Sequence, residues 1–136
     1  MSTPAASAWN NRLMIHWYFG WTAILLAFLS GGVIGVFFHD ETFCGGYASF
    51  RRRMLRLGHI ALAALGMINL LYSQSSLPSE PTLRASIASA GFLIGGAAMP
   101  LVCFLTSWRP GFKRLFFIPV VALVVAAILT LRLGPP

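Results

Sequence analysis

Four long apolar runs restrict what this sequence of 136 residues can fold into. An α-helix rises about 1.5 Å per residue, so roughly 20 apolar residues cross the ~30 Å hydrocarbon layer of a bilayer. The second run is shorter than this unless its helix begins among the preceding arginines, whose long side chains can reach back to the headgroups. We therefore predict four transmembrane helices from the runs Trp17–Phe38, Leu57–Tyr72, Ala85–Leu105 and Leu115–Leu133.

The composition agrees with a chain whose solvent is lipid. Hydrophobic residues make up 57% and charged residues only 10%, with a mean hydropathy of +0.77, whereas soluble domains are about 25% charged. The predicted fold class is an all-α integral membrane protein, a four-transmembrane-helix bundle that forms one domain over residues 1–136. The basic residues behind the net charge of +7 are predicted to contact the lipid bilayer, not nucleic acid. The predicted helices cover residues 17–38, 52–73, 85–107 and 113–133.

The distribution of basic residues predicts an orientation. An even number of crossings places both termini on one side of the membrane, together with the middle loop, residues 73–84. Cytoplasmic loops are enriched in Lys and Arg, so the more basic side is assigned to the cytoplasm and both termini to the other side. We predict the inner (cytoplasmic) membrane of a bacterium. The residues expected to set orientation and meet lipid headgroups are Arg51, Arg52, Arg53, Arg56, Lys113 and Arg114, with Arg109 on the same side.

Small residues and prolines predict how the helices pack. Close backbone contact matters in membranes because apolar side chains gain little by leaving lipid for one another. Glycines at four-residue spacing on the first and third helices predict contact faces for other membrane subunits. Pro100 and Pro119 lie within predicted helices, where each removes a backbone donor and is expected to kink the helix. The predicted partner faces contain Gly31, Gly35, Gly91 and Gly95.

A cluster of potential ligands is predicted at the basic end of the bundle. Haem b needs axial ligands from separate elements, and the candidates are His59 with His39 or Met99. An alternative is a metal site of imidazole and thiolate ligands, although its spacing matches no established motif. Haem b and no cofactor at all both stay open. The candidate metal ligands are His39, Cys44, His59 and Cys103.

His59 is the most informative of these candidates because an ionisable group inside a membrane is costly to bury. It lies on a stripe with Ala63 and Gly66, where a neighbouring helix or a flat cofactor could come close. An ordinary interhelical hydrogen bond and a proton relay are the competing interpretations. Asn69 is expected to bond between helices, whereas His16 lies alone at the opposite end of the bundle.

The function predicted from these features is a small subunit of a larger membrane complex. No phosphate loop, nucleophile elbow, zinc-protease motif or dinucleotide fingerprint occurs in the sequence, and we expect no catalytic activity of the chain alone. The layout is similar to small helical subunits of respiratory or photosynthetic complexes, which favours a structural, haem-associated or quinone-associated role. The alternatives are a small oligomeric transporter or channel component and a purely structural assembly or lipid-binding factor.

Overall fold

The computed structural model describes residues 4–75 and 82–133, and it contains four long α-helices within these ranges. All four are long and apolar enough to cross a membrane, which confirms the predicted all-helical membrane architecture. Part of the predicted middle loop, residues 76–81, lies outside the described residues. The helices are α1 (Pro4–Val36), α2 (Phe50–Ser73), α3 (Leu83–Trp108) and α4 (Phe117–Leu133), with short 3₁₀ helices at Phe43–Gly45 and Pro110–Phe116.

Side-chain caps explain where α2 and α3 begin. The hydroxyl of Ser49 accepts a hydrogen bond from the backbone N–H of Arg52 at the start of α2, at 3.2 Å. Thr82 accepts one from the backbone N–H of Ala85 at the start of α3, also at 3.2 Å. Each cap satisfies a donor that the first helical turn leaves unpaired.

The two prolines have different positions. Pro100 lies inside α3, as predicted. Pro119 lies in the first turn of α4, since that helix begins at Phe117. A proline in the first turn removes a donor that has no intrahelical acceptor, so the predicted mid-helix kink at Pro119 is replaced by a compatible helix start.

The helices pack in chain order. α1 packs on α2, α2 on α3, and α3 on α4, while the backbones of α1 and α4 do not approach each other within the described residues. α1 and α3 lie on either side of α2 and come close to each other at few positions. This serial arrangement leaves a groove between α1 and α3 over α2. It also leaves α1 and α4 widely exposed to lipid.

Most helical glycines mark close contacts inside the chain. A Cβ at Gly66 would lie 2.9 Å from the carbonyl oxygen of Gly20, and a Cβ at Gly20 would lie 2.9 Å from that of Gly66. The two backbones therefore touch where α1 crosses α2. A Cβ at Gly31 would lie 2.6 Å from the His59 ring.

The glycines predicted to face other subunits separate into two groups. Gly91 and Gly95 lie against α4, because a Cβ at either would come within 3.0 Å of an atom of that helix. Gly31 lies against α2 in the same way. These three positions thus make contacts within the chain, and their role in meeting a partner stays a prediction. A Cβ at Gly32 or Gly35 would meet no other atom within 4 Å, so both positions lie open on the surface of α1.

The contact between Gly20 and Gly66 yields a stability prediction. Gly66→Ala adds a methyl group against the backbone of α1, and overpacking of this kind costs about 1–3 kcal/mol. Gly32→Ala adds the same group in open space, where alanine favours a helix by up to about 1 kcal/mol over glycine. Thermal unfolding in detergent should show a lower midpoint for Gly66→Ala and an unchanged or higher one for Gly32→Ala. Equal midpoints would contradict the close crossing.

Candidate functional site

The most extensive buried polar contact joins three helices around His16. The imidazole is fully buried, and its Nδ1 lies 2.7 Å from Oδ1 of Asn69 on α2. Its Nε2 lies 2.8 Å from the hydroxyl oxygen of Ser89 on α3. Both ring nitrogens therefore have partners, and α1, α2 and α3 are joined through one side chain.

The amide of Asn69 determines which nitrogen of His16 carries the proton. Its Nδ2 donates to the backbone oxygens of Leu65, at 2.8 Å, and Phe92, at 3.4 Å. Oδ1 is then the acceptor, so Nδ1–H of His16 donates to it and Nε2 accepts from the Ser89 hydroxyl. A neutral imidazole satisfies every group in this network, which is the condition for a buried polar cluster to stabilise a fold.

Aromatic and polar contacts surround this network. The ring of Tyr72 lies 4.6 Å from the His16 ring, and its hydroxyl donates to the backbone oxygen of Ala85 at 3.1 Å. One turn before His16, Arg12 donates to the hydroxyl of Ser86 on α3 at 2.8 Å. Arg12 and His16 thus link α1 directly to α3 at the end of the bundle remote from the basic loops.

His59 has a simpler environment on α2. It is half-buried and packs over Gly31, with its Nδ1 3.3 Å from the hydroxyl oxygen of Ser30. That hydroxyl donates to the backbone oxygen of Ala27 at 3.1 Å, so it accepts from Nδ1–H of His59. The lone pair of Nε2 then has no hydrogen-bond donor among the described residues.

Among the described residues, no hydrogen bond or ring contact links the other candidate ligands to His59. His39 is exposed beyond the end of α1, with its ring edge-on to Phe38, whereas His59 packs at the level of Gly31. Cys44 and Cys103 are free thiols, the second buried. Met99 is half-buried on α3. Within residues 4–75 and 82–133, no three His, Cys, Asp or Glu side chains are placed to hold one metal ion.

Arg52 has a different role from the headgroup contact predicted for it. Its side chain is only 2% exposed. The guanidinium donates to the backbone oxygens of Asp40 and Phe38, at 2.9 and 2.6 Å, and lies 4.4 Å from the centre of the Tyr47 ring. It therefore ties the turn that follows α1 to the start of α2, and the cation is also favourable over an aromatic face.

Arg51 and Arg56 contact opposite sides of the same end of α2. Nε of Arg51 donates to the backbone oxygen of Ser107 on α3 at 3.0 Å. A terminal nitrogen of Arg56 donates to the backbone oxygen of Tyr47, in the loop after α1, at 3.3 Å. We call this end, formed by residues 37–56 and 107–114, the arginine-rich end.

The loop at the arginine-rich end is held by Asp40. Hydrogen bonds from the Thr42 hydroxyl, at 2.7 Å, and from its backbone N–H, at 2.8 Å, lower the pKa of the Asp40 carboxyl, with a smaller contribution from Arg52. A lowered pKa in the folded chain means that the ionised carboxylate favours this turn above its unfolded pKa. That contribution is lost as the pH falls through the folded value.

A groove lies between α1 and α3. It has a volume of about 520 Å³, within the range of roughly 300–1,000 Å³ typical of ligand sites. Only Thr22 and Ser30 contribute polar side chains to its wall. The lining residues are Phe19, Thr22, Ala23, Leu26, Leu29, Ser30, Val33, Leu62, Gly96, Ala97, Pro100, Leu101 and Phe104.

The positions of three polar residues in the sequence are a signal for the His16 network. In antiparallel neighbouring helices of similar length, His16 near the start of the first apolar run, Asn69 near the end of the second and Ser89 near the start of the third share one depth. Polar side chains at one depth in lipid are expected to pair. The interhelical hydrogen bond predicted for Asn69 is confirmed, and the structure identifies His16 as its side-chain partner.

Comparison with protein-family models, with curated proteins and with solved structures finds no match to this chain. The function is therefore inferred from the contacts and surfaces of the chain itself.

Removal of the His16 ring should weaken the packing of three helices. In His16→Leu, Oδ1 of Asn69 loses its donor in a buried site, which costs about 1–3 kcal/mol, although such bonds are weaker between membrane helices. Thermal unfolding in detergent, followed by tryptophan fluorescence, should show a midpoint several degrees lower. His39→Leu, at an exposed position, is the matched control and should melt like the wild type. Equal melting of both variants would contradict a stabilising role.

Proposed function

We propose that the chain is a small, non-enzymatic subunit of a larger membrane assembly, in which α1 packs against a transmembrane helix of another subunit. The observation that supports this proposal is the exposed pair Gly32 and Gly35 on α1. Glycine costs a helix up to about 1 kcal/mol relative to alanine. The other glycines within the four helices lie against a second helix of this chain, whereas these two have open space beside them.

The surface around this pair suits a helix as the partner. Phe28 and Val36, one turn to either side, are 73% and 79% exposed, so the glycines form a depression between two apolar side chains. Small residues on one helix face allow a second backbone to approach closely, and van der Waals contact is the main attraction between helices in lipid. A partner helix could therefore cross α1 at Gly32 and Gly35 as α2 crosses it at Gly20.

An electron-transport role within that assembly is the second proposal, and the orientation of His59 favours it. The Ser30 hydroxyl holds Nδ1–H, which leaves the Nε2 lone pair for an iron ion or for a donor on a quinol. Histidine ligands in metal sites are oriented by such a second hydrogen bond. A haem at this position would take its second axial ligand from the predicted candidate Met99 on α3 or from a partner subunit.

The partner surface can be tested by the native size of the complex. Full-length protein solubilised from its native membrane should migrate well above the 14.8 kDa chain in native electrophoresis. Gly32→Leu blocks the close approach and should shift the chain to lower mass. Ala127→Leu, at an exposed position on α4, adds the same side chain away from this surface and should leave the complex intact. A wild-type chain that migrates alone, or only with differently tagged copies of itself, would contradict the proposal.

The electron-transport role can be tested separately by a reduced-minus-oxidised absorbance spectrum of the purified assembly. The haem version predicts Soret and α-band changes that His59→Leu removes or shifts while His39→Leu preserves them. Melting curves of both variants control for misfolding. An assembly whose spectrum shows no such bands, or whose bands are identical in His59→Leu, excludes His59 as a haem ligand and leaves the partner-helix proposal unaffected.

A further inference from the structure

We propose that the groove between α1 and α3 binds one acyl chain of an anionic phospholipid, with the headgroup at the arginine-rich end beside Arg51 and Arg56. This inference does not depend on the proposed subunit role. It follows from the size of the groove, the chemistry of its wall, the closure of one end and the charge at the other.

The dimensions of the groove fit one hydrocarbon chain. Along α1 the lining extends from Phe19 to Val33, roughly 21 Å at the helical rise. The groove is open on one side and has a volume of about 520 Å³. A hydrocarbon chain is about 4–5 Å wide, slightly more than one carbon–carbon contact distance. Over the same length it needs roughly 300–400 Å³.

The wall of the groove suits an uncharged chain. No charged side chain lines it, and its two hydroxyl-bearing residues are Thr22 and Ser30. The Ser30 hydroxyl already donates to Ala27 and meets His59. A polar headgroup would find few partners inside the groove, so the headgroup must lie beyond one of its ends.

Contacts between α1 and α3 close the end near His16. Phe19 of α1 lies against Gly96 of α3, where a Cβ would come within 2.9 Å of the phenyl ring. Beyond it, His16 bonds to Ser89 and Arg12 bonds to Ser86. A lipid chain therefore has its entry at the opposite end, past Val33 and Phe104.

Positive charge lies at that open end. Gly58 of α2 lies against Phe104, and Arg51 and Arg56 lie on the first two turns of the same helix, toward the arginine-rich end. Arg51 reaches to the α3 side and Arg56 to the α1 side, so the two cations flank the line along which a chain would enter. Their contacts within the chain are to backbone oxygens and an aromatic ring, with no carboxylate bonded to either guanidinium in the described residues.

The headgroup decides the selectivity in this arrangement. A lipid tail gains little by moving from bilayer to an apolar groove, because both surroundings are hydrocarbon. Attraction of an anionic headgroup by Arg contributes about fivefold per cation near the membrane surface. We therefore expect retention of phosphatidylglycerol over phosphatidylcholine, with the tail site fixing the number bound at one per chain.

The test uses native mass spectrometry of the full chain after mild detergent exchange from vesicles of phosphatidylglycerol and phosphatidylcholine in equal amounts. The expected result is one retained phosphatidylglycerol per chain, preferred at least several-fold. Ala97→Phe and Leu101→Trp fill the groove from α3 and should abolish retention. Ala127→Phe, the matched substitution on the lipid face of α4, should leave it unchanged. Melting curves identify any variant that fails to fold.

The cations are tested by Arg51→Gln with Arg56→Gln, which should lower phosphatidylglycerol retention by about 25-fold and leave the weak phosphatidylcholine retention unchanged. Arg53→Gln with Arg114→Gln removes the same charge from other positions and should lower retention much less. Equal retention of the two lipids, or a lipid count that follows vesicle composition without saturating, would each overturn the proposal. So would retention at the wild-type level in folded Ala97→Phe and Leu101→Trp.

Discussion

The paired imidazole of His16 is the interaction on which the arrangement of α1, α2 and α3 depends. In the hydrocarbon layer no water replaces a missing hydrogen-bond partner, so a buried polar group must find its partners within the protein. His16 does this with Asn69 on one side and Ser89 on the other. Its partners therefore set both the rotation of each helix about its axis and the depth at which the helices meet.

Close backbone contacts, together with the polar network, hold the helices against one another. Gly20 and Gly66 allow α1 and α2 to touch, and Gly91 and Gly95 do the same for α3 and α4. α1 and α3 pack on different faces of α2 and are hydrogen-bonded to each other at the His16 end. Toward the other end they separate. The groove is thus a consequence of the helix geometry and of which end carries the interhelical hydrogen bonds.

The arginine-rich end shows how residues of one type take different roles. Arg52 is buried against the end of α1 and an aromatic ring, while its neighbours Arg51 and Arg53 are exposed. Helical geometry turns successive side chains by about 100°, so three consecutive arginines cannot share one environment. The first turn of α2 therefore combines a buried structural contact with cations that remain available to lipid or to a partner.

The sequence by itself determined the membrane environment, the four helices and the end at which the basic residues collect, because run length, hydropathy and charge act locally along the chain. It also indicated that Asn69 bonds between helices. Only the tertiary structure decided that His16 is its partner, that Gly31, Gly91 and Gly95 serve internal contacts, and that Arg52 faces inward. These outcomes depend on how the helices are rotated and paired. Contacts between side chains that are distant in the sequence fix both.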